Sequence, residues 1–408
     1  MKQSVLSVVA LALCVGLAGC KFRGDISLDE KPAPAKKMIE RTVAVSHIPM
    51  EIKRGKYYVQ AVANGTKGEF IFDTGSPTIF SSQFAQKIGL NAVGRNKGVD
   101  ANGTQLTMDI AVLERLDLGG SIFRNVPVLV HDFSGLDVGH CFITDGVLGS
   151  ELLPGSAWRI DHAAAKLSIA ANATALGVST KARREKLYDT GYPHLPIIDY
   201  RVGGVAEKAL FDTGNSEHVV LFKAVANNPQ VHGAIAPGTT MIGAGYQGES
   251  AGGMGQVEEL ARFTLKQFEI GSYILRDVRA TTRAHPPTLV GAGIMQDHVV
   301  TLDYPNGAFI LEPRGRAASA KAEAGYSISY RNGQAEVVQL YKGSKAANAG
   351  LQLGDKVHSI NGRSAALPKS GNRCGQINWL IGQFDPRKSA DLRVVRDGQV
   401  RRIHVPKL

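Results

Sequence analysis

The chain has 408 residues and a formal charge of +11, with 44% hydrophobic and 20% charged residues. That length calls for two or three cores rather than one, and the composition excludes a collagenous or largely disordered chain. No nucleic-acid motif and no metal-ligand spacing is present, and 46 glycines beside modest aromatic content suit short strands joined by tight turns.

The chain begins with a short basic stretch, Met1-Lys2-Gln3, and an apolar run from Val5 to Gly16. That run is too short to span a bilayer of ~30 Å. It ends in Leu17-Ala18-Gly19-Cys20, which resembles the lipobox of bacterial lipoproteins. Residues 1–20 are therefore expected to be a lipoprotein signal peptide, with Cys20 carrying the lipid. Several acyl chains make a firm anchor, at ~0.8 kcal/mol per buried methylene. Lys21 after the cysteine favours, by the lipoprotein sorting rule, the outer membrane of an enteric-like host, with the protein facing the periplasm. Residues 21–43, rich in Pro, Ala and Lys, read as a tether. Two further cysteines, Cys141 and Cys374, fall in different expected domains and read as isolated thiols, although a periplasm permits a disulfide.

An internal repeat follows. Tyr58–Val62 alternates like a strand, turns at Asn64-Gly65 and returns through Glu69–Phe72 to Asp73-Thr74-Gly75-Ser76. Leu195–Val202 turns at Gly203-Gly204 and returns through Lys208–Phe211 to Asp212-Thr213-Gly214-Asn215. Turn chemistry and alternation make both β-hairpins. Downstream, Val147-Leu148-Gly149 precedes Asp161 as Leu289-Val290-Gly291 precedes Asp303, by the same interval. The copies are expected to occupy residues 44–171 and 172–313.

Peptide hydrolysis by carboxylates needs two of them on one water, one as base and one as hydrogen-bond donor. Two carboxyls in contact cannot both ionise, so they share a proton. A glycine two residues after each aspartate leaves room beside the carboxylate, the threonine hydroxyls can brace the loops, and Ser76 or Asn215 can reach the outer carboxylate oxygen. A third Asp-Thr-Gly, at Asp189, lacks an upstream hairpin and reads as a turn.

Phe70–Ser76 resembles the active-site loop of pepsin-like and retropepsin-like aspartic proteases, and the two apolar-apolar-Gly triplets resemble the segment beneath that loop. The resemblance covers about 270 residues. It implies a mainly β, bilobal fold in which Asp73 and Asp212 form a catalytic dyad within one monomer. Thr74, Gly75, Ser76, Thr213, Gly214 and Asn215 support that dyad, with Asn215 standing where the family carries Ser or Thr. It further implies a flap over the cleft, for which Val99–Thr104 and Gly243–Gly248 are candidates, with Tyr246 as the flap tyrosine. No cofactor or metal is implied.

Residues 314–324 read as a linker, and residues 325–408 as a third unit. The segment 314–408 holds 17 Lys+Arg against 6 Asp+Glu, a charge that suits anionic head groups, acidic partners or plain solvation. Gly343–Asp355, Ile360-Asn361-Gly362 and Val394–Gly398 resemble bacterial PDZ domains, and a helix is expected over Gln376–Phe384. That resemblance implies a peptide carboxylate held near Gly325, Tyr326, Ser327 and Ile328. The combined expectation is an anchored aspartic endopeptidase acting on peptides or unfolded proteins, without nucleic acid. Its alternatives are a non-catalytic peptide-binding envelope protein and a scaffold acting through residues 314–408.

Overall fold

A computed structural model describes residues 38–314, 325–383 and 388–407. Cys20, the tether to residue 37, linker residues 315–324 and Phe384 lie outside the described residues. No described helix is long and apolar enough to cross a membrane.

The molecule is mainly β, and the two repeats fold alike. In the first, Lys56–Ala63 pairs with Thr66–Phe72 across a turn whose Asn64 and Gly65 both take positive φ. In the second, Pro196–Val202 pairs with Val205–Asp212 across Gly203 and Gly204, again both at positive φ. Such turns match the right-handed twist of the strands they join, which is why Asn-Gly and Gly-Gly serve there. Each returning strand then runs parallel to the apolar triplet, Phe70–Phe72 beside Gly146–Leu148 and Ala209–Asp212 beside Thr288–Gly291.

The copies are stitched together by a shared sheet. Ala157–Asp161 of the first pairs antiparallel with His298–Asp303 of the second, so that Ala157 faces Asp303 and Ile160 faces Val300. Val45–Lys53 and Lys166–Ala170 extend this sheet on one side, Ala308–Pro313 and Glu185–Asp189 on the other. One buried core runs beneath both copies, with Phe72 stacked on Trp158 at 5.6 Å and Tyr200 on Phe268 at 5.1 Å. Aromatic pairs of this kind contribute ~0.5–1.5 kcal/mol beyond their buried area.

Three expectations need correction. Met38–Arg41, placed in the tether, forms an edge strand on Ser121–His131, where Arg124 meets Glu40. Cys141 and Cys374 form a disulfide, with Cα atoms 5.4 Å apart. Separate domains argued against it, but the turn Gly139–Cys141 packs on the helix Arg373–Asn378 and brings together residues 233 apart in sequence. The expected helix also starts earlier, at Arg373, with the Asn372 side chain capping it.

The C-terminal unit has its own core, around Tyr330, Val337, Ile377 and Leu392, and its Asp355 is buried in a bidentate pair with Arg396 at 2.6 Å. It is nonetheless not a free appendage. Its strand Gln334–Tyr341 pairs with Met241–Gly245 of the second copy, so closely that a Cβ on Gly243 or Gly245 would lie 2.3–2.4 Å from a backbone oxygen. On the first copy, the Asp137 carboxylate accepts from the amides of Asn332 and Gly333.

Candidate active site

The two Asp-Thr-Gly loops meet at the centre of the molecule. Each begins where a buried strand ends, and each aspartate accepts a hydrogen bond from the amide of its own loop glycine, Gly75 on Asp73 at 2.9 Å and Gly214 on Asp212 at 2.8 Å. The threonines reach across. Thr74 Oγ1 donates to the Phe211 carbonyl at 2.7 Å, and Thr213 Oγ1 to the Phe72 carbonyl at 2.9 Å. Each hydroxyl also accepts from the other threonine's amide, at 3.0 and 3.1 Å. Both threonines are wholly buried, so this reciprocal set leaves no loop donor orphaned.

The glycines are dictated by the opposite copy. A Cβ on Gly75 would stand 2.5 Å from Cγ of Asp212, and one on Gly214 would stand 2.2 Å from Oδ2 of Asp73. The two carboxyl groups are therefore close together, and only a residue without a side chain fits beside each. Gly149 and Gly291 answer to the same crowding, since a Cβ there would lie 2.3 Å from the Ser76 and Glu217 carbonyls respectively.

Burial, followed by the charge of Asp73 beside it, pushes the Asp212 carboxyl up to about 7. Lys56 and Arg283 pull in the opposite direction, and a hydrogen bond to Asp73 adds to the rise. This titration belongs to the pair. Lys56 reaches from the first copy to donate to the Gly214 carbonyl.

The residues flanking the loops behave differently from expectation. Ser76 Oγ donates to the Pro77 carbonyl, and Asn215 Oδ1 accepts from the Glu217 amide at 2.8 Å in a local turn. Both side chains are taken up by their own backbone, which competes with a bond to the carboxylate.

A cleft of about 540 Å³ runs over the pair. Its roof is a clasp of two turns. In Asp100–Thr104 the Asp100 carboxylate closes the turn on the amides of Asn102 and Thr104 and also accepts from Gly252 of the other copy at 2.9 Å. Asn102 Nδ2 donates to the Gly248 and Gly253 carbonyls. Glu249 receives the amides of Asp137, Val138 and Gly139. Both candidate flap segments thus border the cleft, but Tyr246 itself does not. It is buried against the C-terminal unit, its amide on Val338, its carbonyl on Gln339 and its ring under Arg331.

These contacts carry a second correction. The C-terminal unit was expected to be a third unit beyond a linker, yet Gln339 and Tyr341 help line the cleft. Of the residues expected to bind a carboxylate, Gly325 accepts from the Tyr341 amide, Tyr326 and Ile328 are buried in the strand Tyr326–Arg331, and Ser327 donates to Gln339. None of them borders the cleft. The third Asp-Thr-Gly closes a local turn in which Asp189 accepts from the Gly191 amide and pairs with His194.

Residues 59–152 match the aspartyl protease family model. That stretch is about a quarter of the chain and contains the first loop and the first clasp turn. Among solved structures, a retropepsin-like aspartic protease from Rickettsia conorii is similar at 24% identity, over 33% of this chain and 94% of that one, with a TM-score of 0.23. No curated protein matches.

Lys56, Arg283, Glu249, Gln339 and Tyr341 were not singled out from the sequence. Arg283 stands 12 residues after Gly271 as His131 stands 12 after Gly119, so the repeat aligns the two, but an arginine opposite a histidine carries no motif that would mark it for the cleft. Strand pairing agrees with that match, with Ser81 beside His131 and Phe222 beside Arg283.

Proposed function

We propose that the protein is an aspartic endopeptidase whose two repeats form the lobes of one catalytic unit, with Asp73 and Asp212 as the dyad. The observation that carries this reading is the mutual crowding of the loops, in which each glycine position is closed to a side chain by the other copy's carboxylate. A buried carboxyl raised to about 7 beside a second carboxyl is the electrostatic arrangement that general acid–base hydrolysis requires.

In the proposed reaction the ionised aspartate takes a proton from a water as its oxygen attacks the scissile carbonyl. The protonated aspartate donates to the carbonyl oxygen, giving a neutral gem-diol. The first aspartate then gives its proton to the leaving nitrogen while the second takes one from a diol hydroxyl, so that the C–N bond breaks, a carboxylic acid and an amine form, and the pair again holds one proton. The threonine bonds and the short glycine amides hold both carboxyls before substrate arrives, which reduces the reorganisation the step demands. No cofactor enters this scheme.

The substrates proposed are peptides and unfolded proteins, entering under the clasp. The C-terminal unit is read as PDZ-like, with a C-terminal peptide as its ligand, and Cys20 as the lipid anchor that holds a monomer on the periplasmic face of the outer membrane. Pepstatin-sensitive cleavage of an unfolded protein, lost in Asp73→Asn, is the expected result. Cleavage that persists in that folded variant would remove the dyad, and a folded wild type that binds peptides without cutting them would favour the binding-protein alternative.

A further inference from the structure

Arg283 ends the strand Tyr273–Arg283, lines the cleft and is only 7% exposed. Its Nη2 donates to the Ala101 carbonyl on the clasp at 3.2 Å. That uses one of five N–H donors on a side chain that stays charged at any working pH. A buried guanidinium is costly unless a carboxylate faces it, yet Arg283 forms no ion pair among the described residues. Two carboxylates act on it through space, Asp212 and Glu258. Asp212 is shared with Asp73, and Glu258 is paired with Lys223 at 3.3 Å. Of the other acids lining the cleft, Asp100 and Glu249 are each committed to three backbone amides.

The repeat provides a control. His131, the first copy's counterpart, holds the opposite turn through Nε2 and the Ala251 carbonyl at 3.1 Å. Holding a clasp turn therefore needs only one ring N–H donor, and a five-donor guanidinium at the matching place exceeds that need. Lys56, the other cation beside the dyad, is turned onto the Gly214 carbonyl.

We propose that Arg283 is a specificity-determining residue that receives an aspartate or glutamate side chain of the substrate close to the scissile bond. This rests on the peptidase reading above and names its substrate class. A planar, five-donor cation suits bidentate capture of a carboxylate. The dyad favours the same chemistry: a pair that keeps its proton up to about 7 can work where a substrate glutamate is ionised.

The test maps cleavage of a proteome-derived peptide library by the full chain near pH 6, then follows matched peptides differing only as Glu or Gln. The wild type should enrich Asp or Glu at one position within about three residues of the cut, with kcat/KM about tenfold higher for the Glu peptide. Arg283→Gln should lose that preference, and Arg283→Lys should keep part of it. An equal loss on both peptides would make Arg283 a clasp anchor only, and a shifted pH profile with unchanged preference would make it a dyad-tuning charge; either overturns the proposal. If the wild type cuts nothing, anisotropy of labelled Glu-rich and Gln-rich peptides decides separately. Arg283-dependent preference for the Glu-rich peptide would retain the acidic subsite while the peptidase reading fails, and equal or absent binding would overturn it.

Discussion

The two repeats are nearly identical at the centre and diverge at the rim. At the centre each threonine reaches the other copy's strand-end carbonyl, at 2.7 and 2.9 Å, and each glycine is closed by the other copy's carboxylate. At the rim, the first copy closes its clasp turn internally through Asp100, whereas the second anchors its longer segment on the C-terminal unit through Tyr246. Where the first copy has His131 and Ser76, the second has Arg283 and Asn215. Mutual contact constrains the centre from both sides, so neither copy can change alone. Each rim answers to a different neighbour and is free to differ.

The sharpest way to break this comparison is to fill the centre. Gly75→Ala and Gly214→Ala should each lower kcat/KM by about 10³-fold or more, ~4 kcal/mol of transition-state stabilisation, and to similar extents. A large difference between them would show that the copies are not equivalent even there. Next comes the rim. Cys374→Ser should cost about 2–5 kcal/mol of stability, read by chemical denaturation of oxidised wild type and variant, because it frees the segment Gly139–Cys141 from the C-terminal helix.

The pair's titration gives a third test. The folded pKa of Asp212, about 7, lies above its ordinary 3.8, so its contribution to stability is complete below about 3.8 and is lost as pH rises to about 7. Asp212→Asn cannot lose it. The variant should therefore gain on wild type by roughly 2–4 kcal/mol between pH 4 and pH 8, measured from unfolding at both ends. Parallel pH dependences would contradict a buried, proton-sharing pair. The smallest effect belongs to Asn215. Its side chain serves a local turn, so Asn215→Ser should change kcat/KM by less than about threefold.

Much of the fold was legible because it was written twice. The hairpins, both Asp-Thr-Gly loops and both apolar-apolar-Gly triplets could be read from turn residues, alternation and spacing, all local signals. The disulfide and Met38–Arg41 were not, since each depends on a partner far along the chain, Cys374 and Ser121–Arg124. Tyr246 was placed over the cleft on the strength of its glycine-rich surroundings. Those glycines instead permit close approach of the strand Gln334–Tyr341, and no property of the segment itself distinguishes the two uses. Arg283 and Glu249 look like ordinary surface charges in sequence, and only the clasp gives them a place.

If the two aspartates act as one proton-sharing group, both are needed for cleavage and they titrate together. The direct measurement is cleavage of an unfolded protein by the full chain from acid to alkaline pH, beside Asp73→Asn and Asp212→Asn preparations shown to be folded by their thermal transitions. Wild-type cleavage should decline as pH rises through about 7 and should be absent from both variants. A folded wild type without cleavage at any pH, or an Asp212→Asn variant that still cuts, would contradict that pairing.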